Sequence, residues 1–169
     1  RDVKMFNYNE DEAIVLPNPM SNDKSIIRKS ILPSIYKTYE YNKAHGVKDI
    51  NIYEIAKTYD SKYKETTKIC GLMTGDYNIN TWKGNQTVDF YVIKGIVEDL
   101  IEYMGYKDRY SFERSKCNDL HPGVQANIII DGKVVGIIGK VHPNINKNDV
   151  FVFEINLDAL YGKTSKLKF

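Results

Sequence analysis

From Thr87 to Gly105 apolar residues recur at three- and four-residue spacing: Val88, Tyr91, Val92, Gly95, Ile96, Leu100, Tyr103 and Met104. That period predicts an amphipathic helix with one buried face. Thr87 is placed to cap its first turn, with Asp89 close behind to favour the positive helix end. Gly105 stands where a helix terminus wants a left-handed residue. Gly95, inside the stripe, implies a close approach between helix and sheet.

The pattern on either side of this helix has period two. In Ile50–Tyr59, residues Ile50, Ile52, Glu54 and Ala56 alternate with Asn51, Tyr53, Ile55 and Lys57, as in a strand with two different faces. Lys68–Thr74 reads as a second strand, with the polar stretch 60–67 as the turn between them. After the helix come Arg109–Arg114, then Gln125–Ile130 and Lys133–Gly139 around Asp131-Gly132. That dipeptide is a strong hairpin signal, because both turn positions need positive φ. Val150–Leu157 alternates again, with Val150, Val152, Glu154 and Asn156 set against Phe151, Phe153, Ile155 and Leu157. The expected fold class is therefore α+β: an antiparallel β-sheet flanked by helices, with the 87–105 helix laid across one face.

The first third is less regular. Residues 1–12 read as a polar loop or strand edge, and Ala13–Leu16 as a short strand stopped by Pro17. Asn18-Pro19 opens a turn. Ser21 or Asp23 can cap a short helix from Lys24 to Ile31, and Pro33 can open a second helix running to Ala44, ended by Gly46.

Composition narrows the picture without pointing to a chemistry. The chain has 169 residues, 42% hydrophobic and 27% charged, with net charge +2. A domain of that length buries ~70% of its unfolded surface, and so balanced a charge does not argue for nucleic acid. No apolar run approaches a membrane span. Cys70 and Cys117 have no motif spacing and read as reduced thiols of a cytosolic protein.

Candidate reactive groups are few. Cys117 and His121 lie four apart, and Cys70 and His142 could complete a zinc site, but the compact spacing of such sites is missing. The simpler reading has each His-Pro corner, 121–122 and 142–143, turning the chain with its imidazole bonded to the backbone. Glu54 and Glu154 sit in similar settings, IYEI and VFEI. They could form an acid/base pair, or each could be tied to a lysine or hydroxyl at a sheet edge, which is the preferred reading. Trp82, in a polar loop, pins that loop to the core or meets a ligand. Lys94-Gly95 lacks the Gly-rich turn of a phosphate loop, and Gly136 and Gly139 allow close packing in a strand. No nucleophile–base–acid set emerges, so no catalytic, cofactor-binding or metal-ligating residue is assigned.

Five segments in order carry a family resemblance: Asn18–Ile35, Ile50–Tyr59, Val88–Ile101, Leu120–Pro143 and Val150–Leu160. Together they closely resemble the β subunit of bacterial phenylalanyl-tRNA synthetase, over nearly the whole chain. The resemblance implies a class II aminoacyl-tRNA synthetase-like fold. It also implies that residues 1–162 are the catalytic-like module, short of its beginning, and that 163–169 start a linker to an absent anticodon-binding domain. The partners it implies are the α subunit, in a complex of two α and two β chains, and tRNA(Phe), in the cytoplasm and without a membrane. The whole enzyme would use ATP and Mg2+ to join phenylalanine to its tRNA, while this module would bind no cofactor and would not catalyse.

The arginines support that last implication. Class II sites grip ATP with an arginine on the motif 2 strand and another in the motif 3 turn, where planar forks suit phosphate. This chain has only Arg1, Arg28, Arg109 and Arg114. None lies in Ile50–Tyr59, which matches motif 2, and none follows Gly136 or Gly139. Lys57 and Lys140 are nearby but do not reproduce a bidentate clamp. Arg28 is expected to bridge its helix pair to a carboxylate or carbonyl, and Asp89 and Lys94 are likewise read as structural. A direct tRNA-binding role would rest on Lys163, Lys166 and Lys168.

Overall fold

A computed structural model describes residues 14–15, 26–60, 62–77 and 84–161. Six strands form one antiparallel sheet in the order β3-β4-β8-β7-β6-β5. They are β3 (Ile50–Tyr59), β4 (Glu65–Thr74), β5 (Tyr110–Arg114), β6 (Leu120–Ile130), β7 (Lys133–Val141) and β8 (Val150–Asn156). Helix α1 (Leu32–Ala44) precedes β3, and α2 (Phe90–Tyr103) joins β4 to β5. A separate two-stranded ladder pairs β1 (Ile14–Val15) with β2 (Ile26–Ile27). The α+β expectation holds, and with it the extent of β3.

The sheet is covered on both sides. One core joins Ile93, Val97 and Ile101 of α2 to Phe151, Phe153 and Ile155 of β8 and to Ile128 and Ile138. The other joins Leu32, Ile35, Tyr36 and Tyr39 of α1 to Ile50, Leu72, Val150 and Val152. Successive side chains of a strand point to opposite faces, so β8 feeds both cores and is buried along almost its whole length. Edge strand β3 alternates instead, with Tyr53 and Ile55 exposed and the even positions turned inward.

Several expectations need correcting. The short helix expected from Lys24 to Ile31 is not found over its described residues, 26–31: Ile26 and Ile27 are in β2, where their branched Cβ atoms suit a strand. Only the helix opened by Pro33 is present, with Ile31 as its N-cap. In α2 the N-cap is Asp89, whose carboxylate accepts the Val92 N–H at 2.8 Å. Thr87 instead donates its hydroxyl to Asp76 Oδ1.

The phase of the α2 stripe is also different. Tyr91 and Tyr103 are 77% and 91% exposed, while Ile93, Val97 and Ile101 are fully buried. At 100° per residue Asp99 falls amid Val92, Ile96 and Tyr103, and a carboxylate there turns that side to water. A Cβ on Gly95 would meet nothing within 4 Å, so no close approach to the sheet occurs there.

Two other glycines do answer to packing. A Cβ at Gly71 would lie 2.3 Å from the Phe153 ring, and one at Gly136 would lie 2.3 Å from the Glu154 carbonyl. Asp131 and Gly132 turn the β6–β7 hairpin with φ of 49° and 74°. Strand β4 starts at Glu65, earlier than its apolar run suggests, because Glu65, Thr66 and Thr67 still pair with β3; β6 starts at Leu120, which pairs with Val141 across a register shift from the run that begins at Gln125. The proposals for residues 1–12, Ser21, Asp23, Trp82 and the tail lysines fall outside the described residues.

Candidate functional site

The antiparallel registers of β3, β4 and β8 set Glu54, Cys70 and Glu154 side by side in one row. The row lies on the α1 face, because Glu154 shares its side of β8 with Val150 and Val152. Next to it is the row Ala56–Lys68–Asn156, and on the other side the apolar row Ile52–Leu72–Val152. Charged side chains therefore gather where the apolar floor under α1 ends.

Each carboxylate has its own cation. Lys68 Nζ lies 2.8 Å from Glu154 Oε1, with side chains only 22% and 10% exposed. Arg28 Nη2 lies 2.7 Å from Glu54 Oε1 in a pair about a third exposed. The second oxygen of Glu154 accepts the Ser30 hydroxyl at 2.8 Å and the Ile31 N–H at 2.7 Å. Arg28 also donates to Ser34 Oγ at 2.9 Å, and Ser34 Oγ donates to Glu54 Oε2 at 3.2 Å. Lys68 donates as well to the Lys29 carbonyl, at 2.8 Å.

The chemistry of this cluster is that of a latch. Glu154 takes an N–H at the start of α1, where a helix presents its positive end. A carboxylate dyad that shares one proton needs its groups ~3 Å apart. Two strand spacings put these residues on the order of 10 Å apart, with Cys70 between them. Burial, and then the Glu154 and Glu54 carboxylates, push the Cys70 thiol well above its ordinary value. It is therefore protonated and a poor nucleophile or metal ligand. The preferred reading of Glu54 and Glu154, as separately paired carboxylates, matches this geometry, and so does the bridging role read for Arg28.

The remaining candidates are dispersed. His121 Nδ1 accepts the Gly123 N–H at 3.0 Å, and His142 Nδ1 accepts the Asn144 N–H at 3.1 Å. Both His-Pro corners are thus closed by the backbone. His45, at the end of α1, bonds the Tyr41 carbonyl at 2.8 Å. Burial raises the pKa of Cys117. Among the described residues no three His, Cys, Asp or Glu side chains gather as a metal site would require.

The residues that the resemblance sets near a nucleotide site are paired within the chain. Lys57 is 2.6 Å from Glu65 and Lys140 is 2.6 Å from Asp149. Among the described residues the guanidinium that reaches β3, from Arg28, is held by Glu54 and Ser34. Arg109 pairs with Asp131, and Arg114 is exposed on edge strand β5. Asp89 serves as a cap, and Lys94 pairs with Glu98 one helical turn away. Lys68, Ser30 and Ser34 were not singled out from the sequence. The alternation Lys68–Cys70–Leu72, in step with Glu54 and Glu154, was the available signal for the lysine.

Comparison with known proteins is consistent with this geometry. Residues 1–157 match the family model for the phenylalanyl tRNA synthetase beta chain CLM domain. The phenylalanine–tRNA ligase beta subunit of Bacillus subtilis is 37% identical over 156 residues, covering 86% of this chain and 19% of that protein. The Geobacillus kaustophilus subunit is 35% identical over 165 residues, covering 92% and 20%. The chain thus spans about a fifth of the length of these relatives. Among solved structures, pyrrolysyl-tRNA synthetase from Desulfitobacterium hafniense shares the fold with a TM-score of 0.64 at 12% identity, over 94% of this chain and 56% of that one. The chain belongs to the phenylalanyl-tRNA synthetase beta chain CLM domain family.

Proposed function

We propose, from that family membership, that this chain is a non-catalytic, class II-like module of a phenylalanine–tRNA ligase β subunit. Its role is structural. It packs against the α subunit and neighbouring β domains in a cytoplasmic complex of two α and two β chains. That complex charges tRNA(Phe) with phenylalanine, using ATP and Mg2+, while residues 1–162 bind neither. The observation that carries this reading is the engagement of Arg28 by Glu54 and Ser34. An arginine fork bound to a carboxylate is not available to clamp phosphate.

A second feature supports a packing role. Tyr53 and Ile55 on β3 and Ile96 on α2 are exposed beside an apolar groove of about 340 Å³, lined by Met73, Leu100 and Phe153 among others. Apolar surface gathered in this way suits contact with another protein surface.

Calorimetric titration of the chain with ATP–magnesium and with phenylalanine tests the proposal. The expected result is no saturable heat with phenylalanine at millimolar ligand, and no ATP–magnesium binding that phenylalanine alters. Saturable binding of both ligands would overturn the non-catalytic reading.

A further inference from the structure

We propose that the cleft at the C-terminal end of α1 is a binding site for a phosphate-bearing polyanion. It has a volume of about 670 Å³ and is lined by Lys43, Lys48, Thr74, Lys147, Asn148 and Asp149 among others. The three lysines come from three places: the last turn of α1, the α1–β3 loop and the β7–β8 loop. A helix C-terminus attracts cations, which accounts for Lys43 but not for the convergence of the other two.

None of the three forms an ion pair among the described residues, although Lys57, Lys68, Lys94 and Lys140 all do. Lys43 is positioned without being neutralised. Its ammonium donates to the Tyr39 hydroxyl at 3.1 Å and sits 5.6 Å above the Tyr39 ring. Tyr39 is itself buried, and its hydroxyl accepts from Asn146 at 3.0 Å.

The one carboxylate in the lining, Asp149, is held by Lys140. Nearby Asp49 accepts the Asp76 N–H, and Asp76 accepts the Thr87 hydroxyl. Three exposed ammonium groups therefore line a cleft whose one lining acid is paired, with Asp49 and Asp76 at its margin bonded only to neutral donors. A nucleotide-sized group fits in such a volume. Ammonium groups bind phosphate as flexible point charges, without demanding a planar approach. The chain's charge of +2 does not reveal this site, because the charge is local.

The phosphates could belong to a free oligophosphate or to a nucleic-acid backbone, and the experiment separates these sources. A fluorescein-labelled oligouridylate is titrated into the chain by anisotropy, and sodium tripolyphosphate is titrated directly by calorimetry and as a competitor. The variants are the triple Lys43→Gln/Lys48→Gln/Lys147→Gln and a control triple, Lys62→Gln/Lys107→Gln/Lys133→Gln, at exposed lysines elsewhere. Circular dichroism melts confirm that both triples are folded.

Saturable binding of at least one probe is expected. Affinity for the oligouridylate should fall roughly twentyfold between about 50 and 200 mM salt, as three backbone contacts predict. The cleft triple should lose about tenfold or more, and the control triple about twofold or less. Competition by tripolyphosphate identifies a site satisfied by free oligophosphate; binding of the oligouridylate without competition identifies the nucleic-acid backbone. Equal losses in the two triples, or no saturable binding of either probe, would overturn the proposal. The two readings fail separately: ATP binding lost in the cleft triple belongs to this cleft, whereas ATP and phenylalanine binding that survives in the cleft triple would mark a class II pocket.

Discussion

Glu154 and Phe153 are neighbours on β8 and serve opposite helices. Beneath α1, Glu154 brings together the Lys68 ammonium, the Ser30 hydroxyl and the Ile31 amide. On the same side, the Asn146 amide donates to both Tyr36 and Tyr39 hydroxyls, at 2.9 and 3.0 Å. Beneath α2, Phe153 lies over Gly71 and joins a cluster of isoleucines and valines. Directional bonds fix where α1 begins and how it is turned, while buried apolar area holds α2. A helix held by area can keep exposed apolar residues on its far side, as Tyr91 and Tyr103 show. A helix fixed by a buried carboxylate is sensitive to the loss of one group.

The largest loss is expected of Glu154→Ala. It leaves a part-buried ammonium and a buried helix-start amide without their acceptor, and should cost about 3 kcal/mol in urea unfolding. Glu54→Ala removes a carboxylate from a pair about a third exposed, and should cost about 1 kcal/mol or less. Equal costs for the two variants would mean that the Glu154 cluster is no more than a surface ion pair.

On the opposite face the test is one of phase. Ile93 is fully buried and Ile96 is 40% exposed. Ile93→Ala should lose about 3 kcal/mol, and Ile96→Ala about 1 kcal/mol or less. The reverse order, by the same unfolding measurement, would restore the stripe first expected from the sequence and remove α2 from its place on the sheet.

The sheet was the legible part. Period-two runs and the Asp131-Gly132 turn report local constraints, and local constraints decide strands and hairpins. The α2 helix was legible in existence but not in phase, because apolar residues occupy both of its sides and only Asp99 and Glu102 mark the wet one. The start of α1 was not legible. What holds it is Glu154, more than a hundred positions along the chain, and no local pattern around Ser30 and Ile31 announces that partner. The candidate site shows the same division. The matching settings of Glu54 and Glu154 were visible in the sequence, and so was the expectation of separate partners. The identities of Arg28 and Lys68 as those partners depend on register and on the fold of the 28–31 segment.

The smallest expected effect concerns Gly95, and its sign is the informative quantity. Glycine in a helix interior costs about 0.5–1 kcal/mol relative to alanine, because it gives up more backbone freedom on folding. A residue that let α2 approach the sheet closely would make that cost worthwhile, and Gly95→Ala would then destabilise. No atom lies within 4 Å of a Cβ built there, so the substitution should instead stabilise by about 0.5–1 kcal/mol. In a chain of this length that raises Tm by roughly 1–4 °C, which a thermal melt resolves. A fall in Tm would show that another surface is pressed against this side of α2, and that the two faces of the sheet are more alike than Glu154 and Phe153 suggest.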